Sequence, residues 1–134
     1  MITVLANGCW DMFHVAHLRH LEEARGMGDL LVVSVTMDVF VNKEGRPIIP
    51  QEERLEIIRG LECVSAALLC EDSLDALKRV QPHIFCKGHD YVKKGLLPAE
   101  IKYCAENKIR IKHTHRNPQT TSNIIERIKQ CDFV

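Results

Sequence analysis

No stretch of this chain approaches the roughly 18 consecutive apolar residues of a membrane span. Its start also lacks the basic residues and small-residue cleavage site of a signal peptide, so a membrane location is not expected and a cytoplasmic one is. Charge of one sign is missing too. The 18 Lys and Arg balance 18 Asp and Glu, which removes any whole-molecule field that would recruit nucleic acid or an anionic membrane. Neither is expected as a partner, and any anion selectivity must be built locally. None of the six cysteines forms a C-x-x-C pair, and several lie in or beside apolar runs where a thiol packs as a small hydrophobe. Reduced cysteines are expected. The absence of G-x-G-x-x-G and of a Walker A sequence weighs against hydride transfer and P-loop kinase chemistry. No internal repeat, low-complexity tract or linker divides the 134 residues, so one domain over 1–134 is expected.

What is present is a regular alternation of strand-like and helix-like segments. Apolar or β-branched runs at Ile2–Ala6, Asp29–Met37, Val64–Cys70, His83–Cys86 and Ile109–Thr114 read as strands. Helical spacing marks Val15–Arg25, Gln51–Leu61, Ser73–Val80, Pro98–Asn107 and Thr121–Gln130, the last with Ile124, Ile125 and Ile128 expected to point inward. Loops fall at Asn42–Pro50 and Lys87–Leu97. Repeated β-then-α units in one small domain imply an α/β fold: a single Rossmann-like domain with a parallel five-stranded sheet and helices on both faces. Ligands of such sheets bind beyond the carboxyl ends of the strands. The loops holding Gly8–His17, Lys43, Lys87–Tyr91 and His115–Ser122 all fall on that edge.

The first of these loops, Gly8-Cys9-Trp10-Asp11-Met12-Phe13-His14-Val15-Ala16-His17, is the most informative. A strand that stops at a glycine and re-enters a helix offers N–H groups without intrahelical partners and the positive end of the helix dipole. His14 and His17, three apart, can serve one anionic group, and Asp11 can cap the helix or orient an imidazole. Either histidine alone reads as an ordinary surface residue. Strand, glycine, aspartate and both histidines in this order point to phosphate.

This stretch resembles the G-x-F-D-x-x-H-x-G-H signature of the small nucleotidyltransferases. Gly45-Arg46-Pro47, Glu53-Arg54, Lys87-Gly88-His89-Asp90-Tyr91 and Thr120-Thr121-Ser122-Asn123-Ile124-Ile125 follow in the order of that family, so the likeness covers nearly the whole chain. It is greatest to the adenylyltransferases of D-glycero-β-D-manno-heptose 1-phosphate, which read K-G-G-D-Y and S-T-T-N-I-I at the last two places. The glycerol-3-phosphate cytidylyltransferases, with G-D-D-W, match less well. The resemblance implies attack of a sugar or polyol phosphate on the α-phosphorus of an NTP, with release of pyrophosphate and no covalent enzyme intermediate. It implies His14, His17, Lys43 and Arg54 as catalytic residues acting on the phosphates. Gly8, Cys9, Trp10, Asp11, Lys87, Gly88, Asp90, Thr120, Thr121 and Ser122 are implied as the nucleotide-binding set. Thr120 to Ser122 also read as a helix cap, and Lys87 reads equally as a lysine snorkelling from a strand end. No protein-held metal is implied, because Mg²⁺ would arrive with the triphosphate. A homodimer is implied as well.

Three positions depart from the family pattern. Ala16 stands for glycine and adds a methyl group at the helix start, Trp10 stands for phenylalanine, and Ser122 for the last threonine. Two other classes share some of these residues. A zinc site on His14, His17 and His20, with Asp11, would need histidines at i and i+4, a spacing this helix lacks. A non-catalytic nucleotide-binding module on the same fold has Ala16 as its sequence support.

Overall fold

The computed structural model describes residues 1–131. Five strands, β1 (Thr3–Gly8), β2 (Leu30–Thr36), β3 (Ala66–Cys70), β4 (Ile84–Lys87) and β5 (Arg110–His113), form one sheet in the order β3-β2-β1-β4-β5. Every pairing is parallel. The expected architecture is the one observed. Strand order reverses between β1 and β4, because the chain builds outward to β3 on one side and then crosses to begin the other half. A crevice therefore opens beyond the carboxyl ends of β1 and β4.

Alternation along β1 explains why helices must cover both faces. Val4 and Ala6 pack on one side with Leu21 and Ala24 of α1 (Val15–Arg25) and Ile58 of α2 (Gln51–Arg59). Leu5 points the other way, into a cluster with Ala76 and Leu77 of α3 (Ser73–Val80) and Cys104 of α5 (Pro98–Glu106). The expected loop after β4 contains one helical turn, α4 (Tyr91–Lys94), and a short 3-10 turn at Asp38–Phe40 precedes the 42–50 loop. β1 runs two residues past its expected end because Asn7 and Gly8 pair with Ser34 and Val35 of β2. That extension carries the ladder up to the first residue of the signature.

The last helix, α6 (Thr121–Gln130), departs from expectation. No residue of it is buried, and Ile128 is 47% exposed, so its isoleucine stripe does not point into the core as the spacing implied. Spacing reveals that a helix is amphipathic but not what covers its apolar face. No helix among the described residues is long and apolar enough to cross a membrane.

Candidate active site

The loop from β1 to α1 turns sharply enough to place Trp10 and Met12 at positive φ, 57° and 48°, where residues other than glycine rarely sit. What holds it there is the Trp10 side chain. The indole is buried and donates its N–H to the Ser34 carbonyl at 3.0 Å. A Cβ on Gly8 would meet the ring at 2.8 Å, so Gly8 is required by Trp10 as much as by any ligand. Asp11, also buried, accepts the N–H groups of Ile48 and Ile49 at 2.9 Å each and pairs with Arg46 at 3.3 Å. Burial alone would raise its carboxyl. The two N–H donors with Arg46 and Arg54 outweigh that and hold it below the ordinary range. Asp11 therefore pins the 42–50 loop to the signature. It does not cap α1.

His14 is the cap. Its Nδ1 accepts from the Ala16 N–H at 3.2 Å, and His17 Nδ1 accepts from the His14 N–H at 3.3 Å, a reciprocal box at the helix start. An Nδ1 that accepts carries no proton, so each neutral ring keeps its proton on Nε2. His14 thus donates from Nε2 to Thr121 Oγ1 at 3.1 Å, and His17 keeps Nε2–H to meet a ligand. The two rings stack with centroids 3.8 Å apart. Burial, with lesser contributions from His14, His20, Lys43 and Arg46, brings His17 down to about 3, and burial also lowers His14. Both are neutral donors near pH 7.

The bond from His14 to Thr121 joins the starts of α1 and α6, since Thr120 caps α6 by accepting from the Asn123 N–H at 3.0 Å. Two helix N-termini therefore face one cleft of about 740 Å³, which Lys43, Arg46 and Arg116 also line. A chain with no net charge so gathers positive helix ends and cationic side chains at one cleft. The cleft's other end, one helical turn along α1, is formed by His20, Glu23, Asp90, Tyr91, Thr114 and His115. His20 Nδ1 shares a hydrogen bond with Thr114 Oγ1 at 2.7 Å, and burial, partly offset by Glu23 and Asp90, brings this imidazole down to about 4. Glu23 binds both the backbone N–H and the ring of His115.

The Cytidylyltransferase-like family matches residues 5–130. The chain belongs to that family. It is 33% identical over 130 residues to the bifunctional protein HldE of Pelobacter propionicus, covering 93% of this chain and 26% of that protein. With HldE of Aliarcobacter butzleri it shares 35% over 132 residues, 95% of this chain and 27% of the relative. The chain thus spans about a quarter of the length of these curated relatives. Among solved structures it resembles the lipopolysaccharide core biosynthesis protein of Thermoplasma volcanium, with a TM-score of 0.75 and 29% identity over 87% of this chain and 98% of that one. A protein of unknown function from Archaeoglobus fulgidus shares the fold at a TM-score of 0.67 and 16% identity.

Within this cytidylyltransferase-like domain the residues expected at the site divide into two groups. Gly8, Cys9, Trp10, Asp11, His14, His17, Lys43, Gly88, Asp90, Thr120 and Thr121 all line the cleft. Arg54, Lys87 and Ser122 do not. The phosphate contact expected of Arg54 gives way to an internal role. Its guanidinium is buried and donates to the carbonyls of Ile49 (2.8 Å), Cys9 (2.6 Å) and Thr36 (2.8 Å) and to Asp38 Oδ1 (2.6 Å). Lys87 likewise turns inward, 3.7 Å from Glu100 with both side chains buried, and Ser122 is exposed beside the cap. Cys9 ties the loop to Arg54 through its carbonyl, with a longer contact from the same Nη1 to its Sγ at 3.8 Å, and burial raises the thiol's pKa. Arg46, outside the expected set, also lines the cleft and is held there by Asp11. Glu23, Thr114, His115 and Arg116 line the cleft without having been expected as ligands, and His20, expected only in the zinc alternative, lines it too. His20 and Glu23 follow His17 at helical spacing, and His115 and Arg116 fall in the loop before α6, which was the available signal. The zinc alternative has no geometry behind it: stacked rings do not converge their nitrogens, and no group of three or more potential ligands that could hold a metal occurs among the described residues.

Proposed function

We propose that this chain transfers a nucleotidyl group from an NTP to a sugar or polyol phosphate. A phosphate oxygen of the acceptor attacks the α-phosphorus, the bond from that phosphorus to the bridging oxygen breaks in line, and the electron pair leaves with pyrophosphate. The observation that carries this reading is the convergence of two helix N-termini, joined by the His14–Thr121 hydrogen bond, and the His17 Nε2–H on one cleft. His17 donates to the α-phosphate as negative charge gathers there, and Lys43 neutralises it from the 42–50 loop. Thr120, Thr121 and the start of α6 receive the leaving pyrophosphate. Gly88 and Asp90, at the other end of the cleft, border the nucleoside. Magnesium enters as part of the triphosphate substrate. The phosphate end of the cleft presents cations, imidazoles and N–H groups, and Asp11 is spent on two backbone N–H groups, so the protein's donors suit phosphate oxygens.

The finer reading is AMP transfer from ATP to an acceptor of the D-glycero-D-manno-heptose 1-phosphate kind, in a homodimer. Its support is the Lys87–Tyr91 stretch, the relatives named HldE, and the lipopolysaccharide core biosynthesis protein among the structural neighbours. Pyrophosphate release from each of four NTPs, with and without a panel of sugar 1-phosphates and polyol phosphates, tests it. Turnover is expected only with Mg²⁺, NTP and acceptor together, and best with ATP. A preference for CTP with glycerol 3-phosphate would move the chain to the cytidylyltransferases; nucleotide binding without turnover on any acceptor would make it a sensing module. A mass in solution of one chain would remove the dimer.

A further inference from the structure

Lys87 ends β4, and Gly88, Asp90 and Tyr91 directly after it form one wall of the cleft. Its side chain is 7% exposed, and the ammonium faces Glu100 Oε2 at 3.7 Å, the Tyr91 ring at 4.0 Å and the Phe85 ring at 5.1 Å. Glu100 is buried as well. One of its oxygens accepts the Leu97 N–H at 3.0 Å at the start of α5, and the other has no hydrogen-bond partner, so Lys87 is what balances it. The backbone of Lys87 is held too, because its carbonyl accepts the Thr114 N–H at 3.0 Å. The cleft wall then closes on itself: Tyr91 donates its N–H to the Gly88 carbonyl at 3.2 Å, and a Cβ on Gly88 would meet Asp90 Oδ1 at 2.8 Å. Lys94 reaches the same tyrosine ring, but only at 5.4 Å from its centroid.

A buried ion pair contributes little net stability, because two desolvation costs offset the attraction and a matched apolar pair would serve as well. What the pair does here that an apolar pair would not is hold a desolvated cation against the face of an aromatic ring that lines the cleft. We propose that Lys87 and Glu100 clamp Tyr91 and thereby set the wall that receives the nucleoside, so that Lys87 is a positioning residue for nucleotide binding and touches no phosphate. The inference rests on the reading of the cleft as a nucleotide site. It assigns the clamp to the nucleoside half alone, because the phosphate half is built from α1, α6 and the 42–50 loop.

That division supplies the test. Pyrophosphate occupies only the phosphate half of the cleft, whereas ATP occupies both. Binding of each is measured by titration calorimetry on the wild-type protein, Lys87→Met, Tyr91→Leu, and Lys87→Met with Glu100→Gln. The last variant removes the unbalanced carboxylate that could unfold Lys87→Met alone. In it pyrophosphate affinity is expected to stay within about twofold of wild type, while ATP binds roughly tenfold more weakly. Tyr91→Leu should weaken ATP similarly, and adding it to the double variant should weaken ATP no further, since the two act through one contact. Loss of pyrophosphate affinity in step with ATP would make Lys87 a phosphate ligand and overturn the proposal. So would wild-type ATP affinity in the double variant, which would leave the pair merely structural. A wild-type protein that binds neither ATP nor pyrophosphate would overturn the nucleotide-site reading itself, and the clamp's role with it.

Discussion

Replacing Arg54 by lysine separates its two possible roles, because lysine keeps the charge and loses the fork. The guanidinium reaches three carbonyls on three separate segments, those of Cys9, Thr36 and Ile49, together with Asp38. An ammonium donates from a single point and cannot span them. Two of the three half-buried carbonyls are then left without this donor, at about 1–3 kcal/mol each, so a loss of roughly 2–6 kcal/mol is expected. Against a total stability of about 5–15 kcal/mol this is large but survivable. For a domain of this size it lowers Tm by roughly 7–20 °C. The assay is thermal unfolding of ligand-free Arg54→Lys by circular dichroism, alongside pyrophosphate titration of the folded protein at a temperature well below the transition. A phosphate ligand would give the opposite pattern, since removing a ligand contact leaves the ligand-free protein as stable as before. If Arg54→Lys melts within about 2 °C of wild type while pyrophosphate affinity falls about tenfold or more, the internal role is refuted.

His17→Ala removes an Nε2–H donor aimed at the cleft, so kcat should fall by roughly 10²–10³-fold with a smaller rise in the KM for NTP; near wild-type kcat would favour the sensing module. Ala16→Gly removes the methyl at the helix start. It should tighten NTP binding at little change in kcat and cost roughly 0.5–1 kcal/mol of ligand-free stability; weaker NTP binding would mean that the nucleotide packs on that methyl. With folded pKa values of about 3 for His17 and about 4 for His20, both lie below the unfolded value, so the unfolded chain binds more protons in mildly acid solution. Stability in urea should be fully present above about pH 6.5 and decline as pH falls toward those folded values, and a flat profile between pH 7 and 5 would contradict the burial. Gly8→Ala places a methyl group 2.8 Å from the Trp10 ring, so it should redshift and weaken the protection of the single tryptophan's fluorescence; an unchanged spectrum would remove the packing argument.

Where a signal lies within a few residues, sequence and structure agree closely. The bounds of α1, α3 and α6 are those expected, because helical spacing is a local signal; of the caps, Thr120 before α6 was legible, whereas His14 rather than the expected Asp11 caps α1. The parallel sheet was legible for a related reason. Apolar runs alternating with helices admit few other topologies, and the edge that binds ligands follows from the topology. The order of residues in the first loop likewise marked a stretch that lines the cleft, since a glycine, a helix start and two histidines act over one turn.

The roles of Arg54, Lys87 and Asp11 were not legible in this way. Each could equally face a ligand or the protein, and the choice depended on groups distant in the chain. Arg54 meets a carbonyl 45 residues earlier, at Cys9, and Asp11 meets N–H groups 37 and 38 residues later. The stripe on α6 shows the same limit, because its spacing marks an apolar face and says nothing of what lies against it. Sequence by itself determined the elements, their parallel arrangement and the edge on which phosphate chemistry could sit, because those follow from local propensity and chain connectivity. Only the tertiary structure decided which cations remain available to a ligand: a charge enclosed by the fold must first satisfy the carbonyls and carboxylates that folding brings around it.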